Sequence, residues 1–238
     1  MAGVDHAFEK EIKMTLLEIY DQHVGFATGK YEHYLAIYDR YFLSFKNRPI
    51  TIVEVGVGGG GSLQAWDKYF NGQAKVYGID AAEKSYLNFD PKGQIKVIQG
   101  NQNDRDFWKR ILPEIGKIDI FIDDGGHVSS EQIVTFEEVF PYLNNEGIYI
   151  CEDVQTSYIP SEPFYAGPKK TGTFIEYCKA LIDVMNAWAT EGQDDFQKTE
   201  LTRVIHAVNF FTFLIIIEKK NMDKILYSPI MRGGQHVR

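Results

Sequence analysis

Several things are scarce in this 238-residue chain. It has two cysteines, Cys151 and Cys178, too few for a disulfide framework. A cytoplasmic location is the default expectation for such a chain. No apolar run reaches ~18 residues, so no membrane span is expected. The start, "MAGVDHAFEKEIKM", is too charged for a signal-peptide core. Basic residues are outnumbered, 25 Lys and Arg against 33 Asp and Glu, a formal net charge of −8. That balance argues against a nucleic-acid groove, which needs a basic surface to match phosphates, although a local basic patch stays open. Repeats and low-complexity tracts are missing too. What is present is ordinary for a globular protein: 44% hydrophobic and 24% charged residues, and length enough for one large domain with a full core.

Residues 6–24 and 30–46 read as helices. In the second, Tyr34, Ile37, Tyr38, Tyr41 and Phe42 recur at three-four spacing and form an apolar face. Short apolar runs then alternate with helical stretches. Strands are expected at 51–57, 74–80, 95–100, 117–124 and 146–153, and helices at 61–70, 104–112, 129–140 and 172–190. Residues 203–220 read as two more strands with a tight reversal. Alternation of this kind means a doubly wound, mostly parallel α/β sheet, buried on both faces. Ligands of such sheets bind beyond the carboxyl ends of the strands. Every unusual residue cluster of this chain falls at such an end. His206 lies inside an apolar strand and reads as structural.

The first strand closes in "EVGVGGGGS". Gly56, Gly58 and Gly61 satisfy the dinucleotide fingerprint, a weak signal by itself because glycine-rich turns are common. Glu54 precedes the loop, and an acid there suits a cationic amino-acid ligand better than a pyrophosphate. Asp80 ends the second strand, where an acid can accept both hydroxyls of a ribose; the bland alternative is a helix cap. The third strand runs into "QGNQND", where Gln102 and Asn103 can donate and accept hydrogen bonds beside an adenine, or cap a turn. With Glu54, Gly56, Gly58, Asp80 and Gln102, Ser62 and Asp123 complete the expected cofactor-binding set.

"FIDDGGH" and "CEDVQTSY" place two acid pairs at neighbouring strand ends. Asp124, Glu152 and Asp153 can converge there, and close carboxylates repel unless a cation or protons intervene. An all-oxygen set suits a hard divalent ion, Mg²⁺ first. Solvated loop acids are the alternative. His127, two glycines past Asp124, is placed to act as a proton acceptor, or else to cap the next helix.

Together "EVGVGGGGSLQAWDKYF", "YGID", "NQND", "FIDDGGH", "FPYLNNEGIYICEDVQTSY" and "NFFTFLIIIEKK" resemble, in this order over residues 26–220, the metal-dependent sugar O-methyltransferases related to the mycinamicin and macrocin enzymes. The resemblance implies a class I methyltransferase fold: a seven-stranded, mostly parallel sheet with a terminal antiparallel strand. It implies S-adenosylmethionine and Mg²⁺ as cofactors, Asp124, Glu152 and Asp153 as metal ligands, and His127 as the base. A small sugar-containing acceptor is the implied partner, with no nucleic acid or membrane and a homo-oligomer possible. The expected organisation is an N-terminal helical segment over 1–50, the methyltransferase domain over 51–220 with a lid or substrate loop near 154–173, and a C-terminal extension over 221–238. Gly29 stands where the family has an acid before Lys30, and Gln155 where a histidine is frequent; both departures bear on acceptor contacts. Some macrolide enzymes carry an extra N-terminal domain, for which this chain's length leaves no room. A catechol-type methyltransferase, a nicotinamide-dependent oxidoreductase and a binding module without chemistry are the competing expectations.

Overall fold

A computed structural model describes residues 14–84, 94–190 and 197–225, and the backbone of 231–232 and 235–236. Two helices lead in, α1 (Leu16–Asp21) and α2 (Glu32–Phe42). The sheet domain follows as β1 (Ile50–Val55), α3 (Gly61–Tyr69), β2 (Ala74–Asp80), β3 (Ile95–Gln99), α4 (Arg105–Ile115), β4 (Ile118–Asp123), α5 (Ser129–Val139) and β5 (Leu143–Cys151). Then come α6 (Phe174–Asn186), α7 (Glu200–Val204), β6 (Ile205–Phe211) and β7 (Leu214–Lys219), and a short pair β8 (Met231–Arg232) and β9 (Gln235–His236).

Seven strands form one sheet in the order β3-β2-β1-β4-β5-β7-β6. The first five are parallel, and β7 pairs antiparallel with both β5 and β6. The strand order reverses between β1 and β4, which opens a crevice at their carboxyl ends. Side chains of a strand alternate between faces, so β1 feeds both cores: Ile52 packs with α2 and α3, Val53 and Val55 with the α4–α5 side. The first core is aromatic, with Tyr38, Phe42 and Trp66 in mutual ring contact.

The expected boundaries shift in places. The first expected helix reduces to α1 among the described residues, begun by a Thr15–Glu18 capping box; residues 6–13 lie outside them. The tyrosine-bearing helix ends at Phe42 and tightens into a 3₁₀ turn, Leu43–Phe45. Residues 203–204, expected in a strand, close α7 instead. His206 is exposed on the edge strand β6 and not part of the core. Both cysteines are free and buried. Among the described residues no helix is long and apolar enough to cross a membrane.

Candidate active site

Sheet register aligns the four central strand tips. Val55 pairs with Ile79 and Asp123, and Asp123 with Cys151. One step beyond this row come Gly56, Asp80, Asp124 and Glu152. Three backbone bonds carry the pairing one step further: Gly56 N to Ile79 O (2.8 Å), Asp124 N to Val55 O (2.9 Å) and Glu152 N to Asp123 O (2.9 Å). Residues far apart in the chain therefore meet at one edge.

A cavity of about 550 Å³ opens over this row, lined by Gly56, Gly58, Asp80, Gln102, Asp124 and His127 among others. Gly56 has φ +89°, and a Cβ there would drive into the Asp124 carbonyl. The glycine loop and the β4 acid loop thus touch backbone to backbone. Asp80 accepts from the loop amides of Val57 (3.1 Å) and Gly58 (3.3 Å), and from Ala82 N (2.8 Å). Gln102 accepts from Gly126 N (2.8 Å) and donates to Asp123 (3.1 Å) and Thr135 (3.2 Å), stitching the β3 loop to the β4 loop. Asn103 is exposed, and Asn101 lines the cavity in its place. Gly56→Ala is expected to displace the loop and lower Tm, whereas Gly58→Ala, whose Cβ meets nothing within 4 Å, keeps a folded loop with some backbone strain. Circular dichroism and thermal melts of the two variants check this.

Three expected cofactor residues do not face the cavity. Residues still within the strands point into the packed layers, and with Asp123 level with Val55, alternation sends Glu54 to one face and Asp123 to the other. Glu54 is fully buried and accepts from Ser62 Oγ (2.6 Å) and Trp66 Nε1 (3.0 Å), which also uses up Ser62. Asp123 accepts from Tyr149 Oη (2.8 Å) as well as Gln102, and burial pushes its carboxyl up to about 6.

Beside this cavity a smaller one, lined by Gly29, Lys30, Tyr31, Asp124, Glu152 and Asp153, shares Asp124 with it. The acids there form two linked groups. Asp124, His127 and Asp153 bring ligand atoms together on one side, and Glu54, Asp124 and Glu152 on the other. His127 Nε2 lies 3.7 Å from Asp153 Oδ2 and 4.0 Å from Asp124 Oδ1. Its Nδ1 is buried without a partner. It does not cap α5, whose N-cap is Val128 with no side-chain bond. Asp153 takes φ +54°, and its Oδ1 accepts from Tyr34 Oη (3.0 Å).

Lys30, known from the sequence only as a position of the resemblance, is the group that joins the acids. Lys30 has 1% of its side chain exposed, and its Nζ reaches Glu152 (2.6 Å), Asp124 (2.8 Å) and Glu54 (3.1 Å). Burial by itself would lower its pKa; the three carboxylates hold it well above the ordinary lysine value. Burial raises the Glu152 carboxyl, Lys30 opposes that rise, and Asp124 adds to it. Tyr38 Oη also donates to Glu152 (2.6 Å). Tyr34 and Tyr38 read as apolar-face residues of α2, and their rings are indeed buried; only their hydroxyls reach the acids. Three carboxyls around one ammonium, with Asp153 at the same edge, leave excess negative charge. The donors are hard oxygens open to a cavity on the Asp153 side, so the chemistry of the set fits a divalent ion such as Mg²⁺.

No protein-family model matches the chain. It is 32% identical over 195 residues to the mycinamicin VI 2''-O-methyltransferase of Micromonospora griseorubida, covering 79% of this chain and 48% of that one. It is 34% identical over 194 residues to the 8-demethyl-8-alpha-L-rhamnosyl tetracenomycin-C 2'-O-methyltransferase of Streptomyces olivaceus, covering 79% and 50%. The chain spans about half the length of the curated relatives it matches. Among solved structures, the MycE methyltransferase of the mycinamycin biosynthetic pathway, in complex with Mg and SAH, superposes with a TM-score of 0.80 at 30% identity, over 89% of this chain and 56% of that one. The chain therefore has the class I methyltransferase fold and is a homologue of the sugar O-methyltransferases over about half of their length.

Proposed function

We propose that this chain is an S-adenosylmethionine- and Mg²⁺-dependent O-methyltransferase acting on a sugar hydroxyl. One observation carries the reading: Asp124 lines both cavities, so the nucleoside side and the acid side of the site meet at one carboxylate. The similarity to MycE, whose structure holds Mg and SAH, supports the same cofactors here. When bound, S-adenosylmethionine supplies an electrophilic methyl group and Mg²⁺ supplies positive charge at the acceptor hydroxyl. Asp124, Asp153 and Glu152 would hold the ion, and Asp80 and Gln102 would border the nucleoside. His127 Nε2 faces the acids and takes the hydroxyl proton. Asp153 Oδ2, 3.7 Å away, sets that nitrogen beside the acids. The Gly56 contact keeps the two halves of the site at a set separation, so rate comes mainly from positioning and electrostatics.

The segment 154–173 belongs to the acceptor side in this reading. Thr156 Oγ1 donates to the His127 carbonyl (2.7 Å), tying its first turn to the base. We also place the chain in the cytoplasm, in keeping with its free, buried thiols.

Ligand linkage gives the direct test. S-Adenosylhomocysteine is expected to raise Tm, and NAD(H) to leave it unchanged; stabilisation by NAD(H) alone would sink the methyl-transfer reading. Chelation is expected to abolish turnover and added Mg²⁺ to restore it. Full activity under thorough chelation would return the acids to a purely structural role.

A further inference from the structure

The β6–β7 turn is strained, exposed and tied to the candidate metal site. Phe213 takes φ +63°, a conformation that a bulky residue holds only when its surroundings force it. They do so here. The Phe213 carbonyl accepts from Tyr34 Oη (2.9 Å) and Val154 N (3.1 Å), and the Thr212 carbonyl lies 3.0 Å from His33 Nε2. The same hydroxyl, its one proton shared, lies 3.0 Å from Asp153 Oδ1 and accepts from Asp153 N (3.3 Å). One phenol thus fixes both the acid and the turn.

Despite this anchoring, Phe213 is 37% exposed, and Tyr31 beside it 47%. Their centroids are 5.8 Å apart. Tyr31 is held from two more sides, by His33 at 5.5 Å and Tyr34 at 5.3 Å. It also lines the cavity of Asp124, Glu152 and Asp153. Tyr31 therefore stands at the wall of a carboxylate-lined cavity, and the Phe213 ring, tilted 57° to it, extends its aromatic surface outward. A ligand that fits both has one flat C–H face and one hydroxyl-bearing edge, which describes a pyranose ring.

The geometry points to Tyr31 and Phe213 as a stacking platform that receives the apolar face of the acceptor sugar while its hydroxyl edge reaches Asp124 and Asp153. This inference rests on the sugar O-methyltransfer reading and adds the residues that select the acceptor. Backbone rigidity on both sides means little ordering is needed on binding.

The test is saturation-transfer NMR and titration with methyl α-L-rhamnopyranoside, on the full chain with S-adenosylhomocysteine and Mg²⁺ present. Wild type is expected to transfer saturation to the ring C–H protons. Tyr31→Ala and Phe213→Asn are expected to weaken glycoside binding roughly three- to tenfold each, with S-adenosylhomocysteine and Mg²⁺ affinities unchanged. Asn tolerates the left-handed turn, so the backbone is spared. Tyr31→Phe keeps the ring and is expected to retain binding. Undiminished glycoside binding in both ring-deleted variants overturns the platform. So does a wild type that binds S-adenosylhomocysteine and Mg²⁺ but not the glycoside, and that result leaves methyl transfer standing. A wild type that binds neither cofactor fails the underlying reading itself.

Discussion

His127→Asn is expected to lower kcat by about 10²–10⁴-fold, the usual worth of a positioned general base. Asparagine is the right replacement on structural grounds. His127 has φ +54°, which Asn accepts and most residues do not, so the loop keeps its shape. No helix cap is lost, because the α5 N-cap is Val128. S-Adenosylhomocysteine and Mg²⁺ affinities, measured by calorimetry, are expected to stay near wild type. A variant with near-normal kcat would assign proton removal to water or to one of the carboxylates.

Lys30→Met is expected to destabilise the fold by about 3–5 kcal/mol, the range for removing one partner of a buried ion pair. The replacement leaves Glu54, Asp124 and Glu152 crowded without their ammonium. For a domain of this size the melting temperature drops by roughly 10 °C. The sign of the pH dependence follows from Glu152. Its carboxyl is already raised by burial, and Lys30 is the group that pulls it down. Without Lys30 the folded value rises further above the unfolded one. A raised carboxylate binds more protons in the folded state, so the deficit is smallest in acid and grows as pH climbs toward that folded value. Millimolar Mg²⁺ is expected to raise the variant's Tm more than the wild type's, since the variant's acids lack an internal cation. Equal Mg²⁺ responses would show that Lys30 acts through packing and not charge.

The sheet and the strand-tip location of the site were legible in the chain because both follow from local pattern. Continuous apolar runs mark strands buried on two faces, and the polar residue after each run marks its tip. Gly56, Asp80, Asp124 and Glu152 needed no more than that. Which acids face the crevice was a different matter. Asp123 stands in the last row of strand residues, level with Val55, and Glu54 one row before it, so the two-residue period of a strand turns them into opposite cores, where Tyr149 and Trp66 bind them. Lys30 lies 94 and 122 residues from Asp124 and Glu152, in the short link between two helices. Tyr34 and Tyr38 have the spacing of a helix's apolar face, and their rings obey it. Only the docking of α2 against the sheet edge decides that their hydroxyls end on Asp153 and Glu152. The sequence by itself determined the elements and the strand ends, since these depend on neighbours a few positions apart. Tertiary structure decided the charge pairing of the site, because an ammonium's partners depend on which strand tips the sheet order brings within 3 Å of it.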